Sequence, residues 1–211
     1  MARTKDPTLG NRNQEKIVAT AKKLFMTKGF NDTTMKDIAD AVGMSKSTLY
    51  VYFNNKEAVK NYISLEAMQH LYHQLEENVK PDVMNQHDCY MAICQVLVEL
   101  KKKYPLSFQI IVEEICIEEK KLQEDPILAQ IYETGEKINQ YIYAVLSEGA
   151  SAMDEKGMFC NVFTQWGAIY GLIVLVDNKK EYLKQSVGMT KEAFLQQGFE
   201  RLFQSTKGVI V

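Results

Sequence analysis

The strongest constraint on the fold is a short link between two helical stripes of apolar residues. The segment TTMKDIADAVG places four apolar side chains on one helical face and ends at Gly43. The segment SKSTLYVYF places Leu49 and Phe53 on a second face. Only Val42, Gly43 and Met44 separate the two, and a link this short, hinged on glycine, makes two helices cross steeply. We therefore predict a helix-turn-helix at residues 34–53.

Two further helices flank this unit. One amphipathic helix covers about Asn13 to Lys28, and Gly29 offers the left-handed residue that a helix end needs. The second is capped by Asn54 or Asn55 and carries an apolar stripe from Val59 to Leu75. The order is thus helix, short helix, tight turn, short helix and long helix, which is the anatomy of a DNA-binding helix-turn-helix.

The second helix of the pair has an unusual outward face. Ser45 is placed to cap this helix. The outward positions of the helix carry hydroxyl, phenol and lysine groups, whereas a surface helix without a binding function usually carries Glu, Lys or Ala. Base edges and phosphates are contacted largely through hydrogen bonds, which such groups form without long flexible arms. For Tyr50, packing against the first helix is the competing interpretation.

Charge is divided unevenly along the chain. Residues 1–63 carry eleven Lys and Arg against six Asp and Glu, a net charge of +5, whereas the remaining residues carry −7, giving −2 in total. A basic first third on an acidic body favours contact between that third and a polyanion.

The stretch AKKLFMTKGFNDTTMKDIADAVGMSKSTLYVYFNNKEAV resembles the DNA-binding domain of the TetR family of bacterial transcriptional regulators. The resemblance covers about Gln14 to Ile63, and departs from the commonest pattern at Ser47, often glycine, and Tyr52, often histidine. It implies that the third helix enters the major groove and that these residues contact DNA: Thr33, Thr34, Ser45, Lys46, Ser47, Thr48, Tyr50, Tyr52 and Lys56.

Long helical periodicities continue to the C-terminus, so we predict an all-α chain of about nine helices. The predicted domains are residues 1–63, which bind DNA, and residues 64–211, which bind a ligand and dimerise. The resemblance implies a homodimer formed through the last two long helices. The apolar positions assigned to that interface are Phe163, Gly167, Tyr170, Gly171, Val174, Phe194, Leu195, Gly198, Phe199 and Leu202.

Aromatic, aliphatic and soft side chains of the inner helices are candidates for lining a cavity for an apolar or aromatic small molecule, with plain core packing as the alternative. They are Tyr72, Tyr90, Met91, Phe108, Val112, Cys116, Tyr132, Tyr141 and Trp166, with Glu113 as a polar anchor.

Other classes of function have less support. The uncharged stretch Gly157 to Val176 has the length of a membrane span, but Asn161, Thr164 and Gln165 occupy its first half, which favours a helix buried between other helices. Four cysteines without a CxxC pair and an N-terminus without an apolar core favour free thiols in the cytoplasm. No metal-ligand set, catalytic signature or cofactor motif is recognisable.

The sequence thus predicts a cytoplasmic, homodimeric regulator of transcription that binds a palindromic operator in double-stranded DNA. We expect it to be a repressor that a small molecule releases from the operator. The alternative is a DNA-binding regulator or architectural protein controlled by a protein partner. An enzyme built on the same fold ranks last.

Overall fold

The computed structural model describes residues 7–114, 122–146 and 154–207, and these residues form helices and connecting turns without a strand. The predicted all-α architecture with about nine helices is confirmed. The helices are α1 (Pro7–Lys28), α2 (Met35–Val42), α3 (Lys46–Tyr52), α4 (Lys56–Asn78), α5 (Gln86–Lys103), α6 (Pro105–Gln109, continued by π-helical turns over Ile110–Glu114), α7 (Pro126–Leu146), α8 (Glu155–Val187) and α9 (Lys191–Lys207).

The chain divides into two compact units. The first comprises Met1–Ala67 and Gln109–Ile131, and the second comprises Met68–Phe108 and Tyr132–Val211. The division falls four residues after the predicted boundary at residue 63, and it assigns Gln109–Ile131 to the first unit, which periodicity along the chain does not reveal.

The helix-turn-helix of the first unit is fixed at its ends by local hydrogen bonds. Thr34 caps α2 through a capping box, in which the Asp37 N–H donates to Thr34 Oγ1 (3.1 Å) and the Thr34 N–H donates to Asp37 Oδ2 (2.8 Å). Lys28 Nζ lies 2.8 Å from the same carboxylate. The Lys28 and Thr34 hydrogen bonds hold the pKa of Asp37 well below its usual range. Gly43 ends α2 with a φ of 75°, a left-handed conformation that glycine adopts without strain.

The core of the first unit is made of buried apolar side chains. Helix α1 contacts α2, and α2 contacts α3. Each helix contributes side chains that are fully buried, among them Ile17 and Ala21 of α1, Ile38 of α2, Leu49 of α3 and Val59 of α4. These are the positions that the sequence periodicity assigns to the core.

In the second unit, α5, α8 and α9 contact one another. Helix α9 lies close to α8 at Gly198, where a Cβ would collide with Leu172 Cδ2. Asp177 of α8 bridges the other two helices, with its carboxylate 2.7 Å from Lys101 Nζ and also paired with Lys191. Although burial raises the pKa of Asp177, the hydrogen bonds from the two lysines outweigh burial and lower it.

Helix α8 is the one described helix that is long and apolar enough to cross a membrane, judged by length and composition alone. The core helix of a soluble protein passes the same test. One face of α8 is indeed buried in the second unit, through Met158, Val162, Gln165, Ile169, Ile173 and Val176.

A histidine joins α5 to α9. His87 Nε2 lies 2.9 Å from Glu200 Oε2 of α9, and His87 Nδ1 lies 3.2 Å from Asp88 Oδ1 of its own helix. The ring also meets the edge of Phe203, with centroids 5.0 Å apart. The hydrogen bonds to Glu200 and then Asp88 raise the pKa of His87 above its ordinary 6.5.

Because the pKa of His87 is raised in the folded state, protonation of His87 stabilises the fold below about pH 6.5, and this contribution is lost as the pH rises through the folded pKa. We expect His87→Gln to lower the melting temperature at pH 5.5, and the gap to wild type to narrow by pH 8.5. Thermal unfolding followed by circular dichroism measures both. The control is His73→Gln, since His73 pairs with Glu77 within α4 only. A gap independent of pH would show that His87 acts by packing alone.

Candidate nucleic-acid interface

The orientation of α3 is set by two apolar side chains and one cap. Leu49 is completely buried, and Phe53, directly after the helix, is 5% exposed. Ser45 caps the helix, because its Oγ accepts a hydrogen bond from the N–H of Thr48 (3.1 Å). These contacts leave the opposite face of α3 at the surface.

The outward face of α3 presents a compact set of polar groups. The hydroxyls of Ser47 and Thr48 lie 2.9 Å and 2.8 Å from Ser45 Oγ. The Lys46 ammonium lies 5.7 Å from the centroid of the Tyr50 ring, within the range of a cation–π contact. Tyr50 is 40% exposed, which places its phenol at the surface rather than in the core. Five of the predicted contact residues, Ser45 to Thr48 and Tyr50, therefore lie together and are accessible.

Tyr52 is held by the first helix. The side-chain amide of Asn13 donates a hydrogen bond to the Tyr52 phenol oxygen (2.9 Å). Since the phenol accepts in this contact, its own proton remains available for an acceptor such as a phosphate oxygen. Asn13 was not recognised as part of the site from the sequence, because the contact joins residues 39 positions apart.

Two of the predicted DNA contacts are engaged in hydrogen bonds within the chain. Thr33 is 1% exposed and its hydroxyl donates to the Gly29 carbonyl (2.7 Å), so it stabilises the turn after α1 and does not reach the surface. Lys56 Nζ donates to the carbonyls of Phe30 (2.6 Å) and Asn31 (3.1 Å) and lies 4.3 Å from the Phe30 ring centroid. Its charge is thereby used to hold the turn between α1 and α2.

Thr34 is exposed, but its hydroxyl is engaged with Asp37 in the capping box. The sequence prediction omitted Val51, which is 62% exposed on α3. Val51 is apolar and was therefore not among the polar groups expected to contact DNA, although its position one helical turn after Ser47 was a usable signal.

Among the predicted ligand residues, Tyr90 and Trp166 line the same cavity, which measures about 10 Å³ and is completed by Ile93, Ile142, Leu146, Gln165 and Ile169. A space of this size holds at most one water molecule. The buried Tyr90 hydroxyl donates to Gln165 Oε1 (2.9 Å) at its wall. Burial raises the pKa of the Tyr90 phenol and that of the neighbouring Cys94 thiol, so both are protonated at neutral pH.

The other predicted ligand residues are dispersed. The Phe108 ring stacks on Tyr170 with centroids 5.1 Å apart, and the Tyr141 hydroxyl donates to the Val79 carbonyl. Tyr72 and Met91 are half-buried. Val112 and Tyr132 are 37% and 50% exposed. The Glu113 side chain and Cys116 lie outside the described residues.

The predicted dimer residues divide into two groups. Phe163, Gly167 and Gly171 are exposed on one face of α8. Apart from adjacent residues and the backbone of the helix itself, no atom of the described residues lies within 4 Å of a Cβ placed at either glycine. Four others, Tyr170, Val174, Phe194 and Leu202, are half-buried. Leu195 and Phe199 are only 4% and 3% exposed and belong to the core of the chain itself. Gly198 meets Leu172 of the same chain, so it too serves packing within the chain.

The geometry defines a helix-turn-helix protein whose second helix exposes a polar face. Residues 17–62 match the sequence profile of the bacterial regulatory proteins of the tetR family. In this segment, which includes the helix-turn-helix, the chain is similar to the TetR family.

Two curated relatives and one solved structure illustrate the extent of the similarity. The chain is 43% identical over 49 residues to the transcriptional regulator YerO of Bacillus subtilis (strain 168), covering 23% of this chain and 17% of YerO. It is 39% identical over 46 residues to IcaR of Staphylococcus epidermidis, the negative regulator of the biofilm operon icaADBC, covering 22% of this chain and 25% of IcaR. The chain thus spans less than two thirds of the length of these relatives.

The structural similarity extends further than the sequence similarity. The crystal structure of AibR in complex with isovaleryl coenzyme A and operator DNA matches 90% of this chain and 98% of AibR, with a TM-score of 0.64 and 20% identity. At this identity the match establishes the fold of the chain.

Lys46 and Lys56 should contribute differently to the free energy of unfolding. We expect Lys56→Ala to lower the free energy of unfolding by about 1–2 kcal/mol, since two backbone carbonyls lose a charged hydrogen-bond donor. Lys46→Ala should change it by less than about 0.5 kcal/mol, because its side chain is at the surface. Urea unfolding followed by circular dichroism makes the comparison. Equal effects of the two substitutions would contradict the structural role of Lys56.

Proposed function

We propose that this protein is a transcriptional regulator that binds double-stranded DNA through the outward face of α3. The proposal rests on the geometry of this helix. Buried Leu49 and Phe53 fix one side, so that Lys46, Ser47, Thr48 and Tyr50 are presented together on the other. A short helix of this kind fits the major groove, where hydroxyl and ammonium groups bond base edges and phosphates.

The charge distribution supports the same proposal. The first 63 residues carry a net charge of +5, which attracts the phosphate backbone and releases counterions on binding. Tyr52 adds a phenol whose proton is available, held in position by Asn13. AibR, which shares the fold, is bound to operator DNA, and IcaR is a negative regulator of transcription. We therefore place this chain on an operator as a repressor acting in the cytoplasm.

DNA binding is tested by its dependence on salt. Because Lys46 is available for a phosphate, we expect Lys46→Ala to weaken binding and to reduce the slope of log K against log salt by about 1 per contact. The control is Lys102→Ala, since Lys102 is an exposed lysine of α5 in the second unit. Fluorescence anisotropy with a duplex chosen by in vitro selection measures both slopes. An unchanged affinity and slope for Lys46→Ala would remove Lys46 from the interface.

We further propose that the protein acts as a homodimer joined through α8. Opposite its buried face, α8 exposes an apolar stripe made of Phe159, Phe163, Gly167, Gly171 and Leu175. Only 28% of the most apolar window of the helix is buried in the single chain, so a further surface is needed to cover it. A second copy provides that surface, and two α3 helices then read the two halves of a palindrome.

A charge placed in this stripe should separate the copies. We expect Leu175→Glu to raise the dimer dissociation constant roughly a hundredfold, because an unpaired carboxylate would be buried in the interface. Operator affinity should fall with it. The control is Val83→Glu, since Val83 is an exposed valine (83%) in the turn before α5. Sedimentation velocity measures the dimer, and a Leu175→Glu protein that remains dimeric would exclude this face.

Release by a small molecule is the regulatory part of the proposal. The buried Tyr90–Gln165 hydrogen bond beside Trp166 is a polar anchor in an apolar wall, the combination that ligand sites use. We propose that a ligand enlarges this cavity and shifts α4, which changes the spacing of the two α3 helices. Linkage requires that such a ligand binds the DNA-free form more tightly and that DNA weakens its binding in return.

The alternative is a regulator controlled by a protein partner. The observation that favours it is the close packing around Tyr90, where the cavity measures only about 10 Å³. Native mass spectrometry of the protein purified from its host separates the two. A bound small molecule that lowers operator affinity supports release by ligand, whereas a co-purified protein that does so supports the alternative.

A further inference from the structure

We infer that Val51 reads the C5-methyl group of a thymine in the major groove, so that the face of α3 selects its operator by an apolar contact as well as by hydrogen bonds. This inference rests on the proposed function, since it assigns one contact within the DNA interface. It gives a role to Val51, a large apolar side chain of the helix-turn-helix that is 62% exposed.

The position of Val51 is central to the interface. Successive residues of an α-helix are rotated by about 100°, so Val51 and Ser47, two residues after and two before Leu49, lie about 160° from it on either side and about 40° from each other. Leu49 is fully buried, which places Val51 and Ser47 side by side on the opposite face. Tyr50 and Thr48 flank them. Any groove that receives this face meets Val51 and Ser47 first.

The chemistry of valine narrows what it can contact. An isopropyl group forms no hydrogen bond, and the thymine methyl is the apolar group that base pairs present in the major groove. Opposite the exocyclic amine of cytosine or adenine, Val51 would displace water without replacing the lost hydrogen bond, which is unfavourable. Val51 therefore favours thymine by contact and disfavours cytosine by desolvation.

The exposure of Val51 alone does not show that it contacts a thymine methyl group, because single exposed apolar side chains are common on protein surfaces. Two features distinguish Val51. It lies at the centre of a face whose other members are polar, and it is a β-branched residue of lower helix propensity in a helix of only seven residues. Neither helix formation nor core packing explains valine at this position.

The test uses the full chain and duplex DNA in which single methyl groups are removed. In vitro selection from random duplexes gives a preferred site, and each thymine of that site is then replaced by deoxyuridine, which lacks only the C5-methyl. We expect one thymine in each half-site whose replacement weakens wild-type binding about three- to fivefold, the effect of one buried methyl group. Replacement of the other thymines serves as the control.

Variants of Val51, combined with the deoxyuridine duplexes, form a double-mutant cycle. Val51→Ala should bind the selected duplex about three- to fivefold more weakly and should be insensitive to deoxyuridine at the same position. Val51→Thr, which keeps the shape and one methyl group, should fall between them. Because the side chain is exposed, neither variant should shift the melting temperature by more than a degree or two, and circular dichroism verifies this.

The outcomes distinguish this inference from the function on which it rests. If wild type and Val51→Ala lose the same affinity at every deoxyuridine, Val51 does not read a methyl group, while the DNA-binding function stands. If selection enriches no sequence and binding shows no dependence on salt, the proposed function itself fails, and the inference with it.

Discussion

The burial of Leu49 is the contact on which the proposed DNA interface depends. Helix α3 has seven residues, far fewer than an isolated helix needs in water, so it forms only because its inner side chain is covered. Leu49 is fully buried, and the Ser45 cap satisfies one of the free N–H groups at the helix start. The outward groups are therefore positioned by a contact on the opposite side of the helix. A substitution of Leu49 would affect DNA binding without touching DNA.

Local signals in the sequence were sufficient to predict much of the fold. Helix α3 begins directly after Ser45, the residue predicted to cap it, because a serine cap and apolar residues at helical spacing lie within nine positions. The limits of other helices were less accurate. Helix α8 continues to Val187, eleven residues beyond the uncharged stretch, because its polar last turns have no apolar stripe to reveal them. Helix α1 begins earlier than predicted, at Pro7, where a proline is compatible with the first turn.

The differences between the predicted sites and the contacts in the structure have a common physical origin. A helical pattern shows that a residue belongs to an apolar or a polar face, but not what covers that face. Leu195 and Phe199 were assigned to a second copy, yet the chain's own helices bury them. Lys56 was assigned to a phosphate, yet its charge is used by carbonyls about 25 residues earlier in the chain. In each case the deciding contact joins segments that are distant in sequence, and neither spacing nor composition records such a contact.

Helix α8 connects the two regulatory parts of the proposal. Gln165, on its buried face, holds the Tyr90 hydroxyl, whereas Gly167 and Gly171 lie on its exposed face. A packed helix moves as a rigid element, so a molecule that separates Tyr90 from Gln165 by displacing α8 would also shift the exposed stripe. The glycines make the stripe sensitive to such a shift, because helices that approach over glycine have no side chain to absorb it. A ligand at Tyr90 and a second copy at Gly167 would therefore act on the same helix from opposite sides.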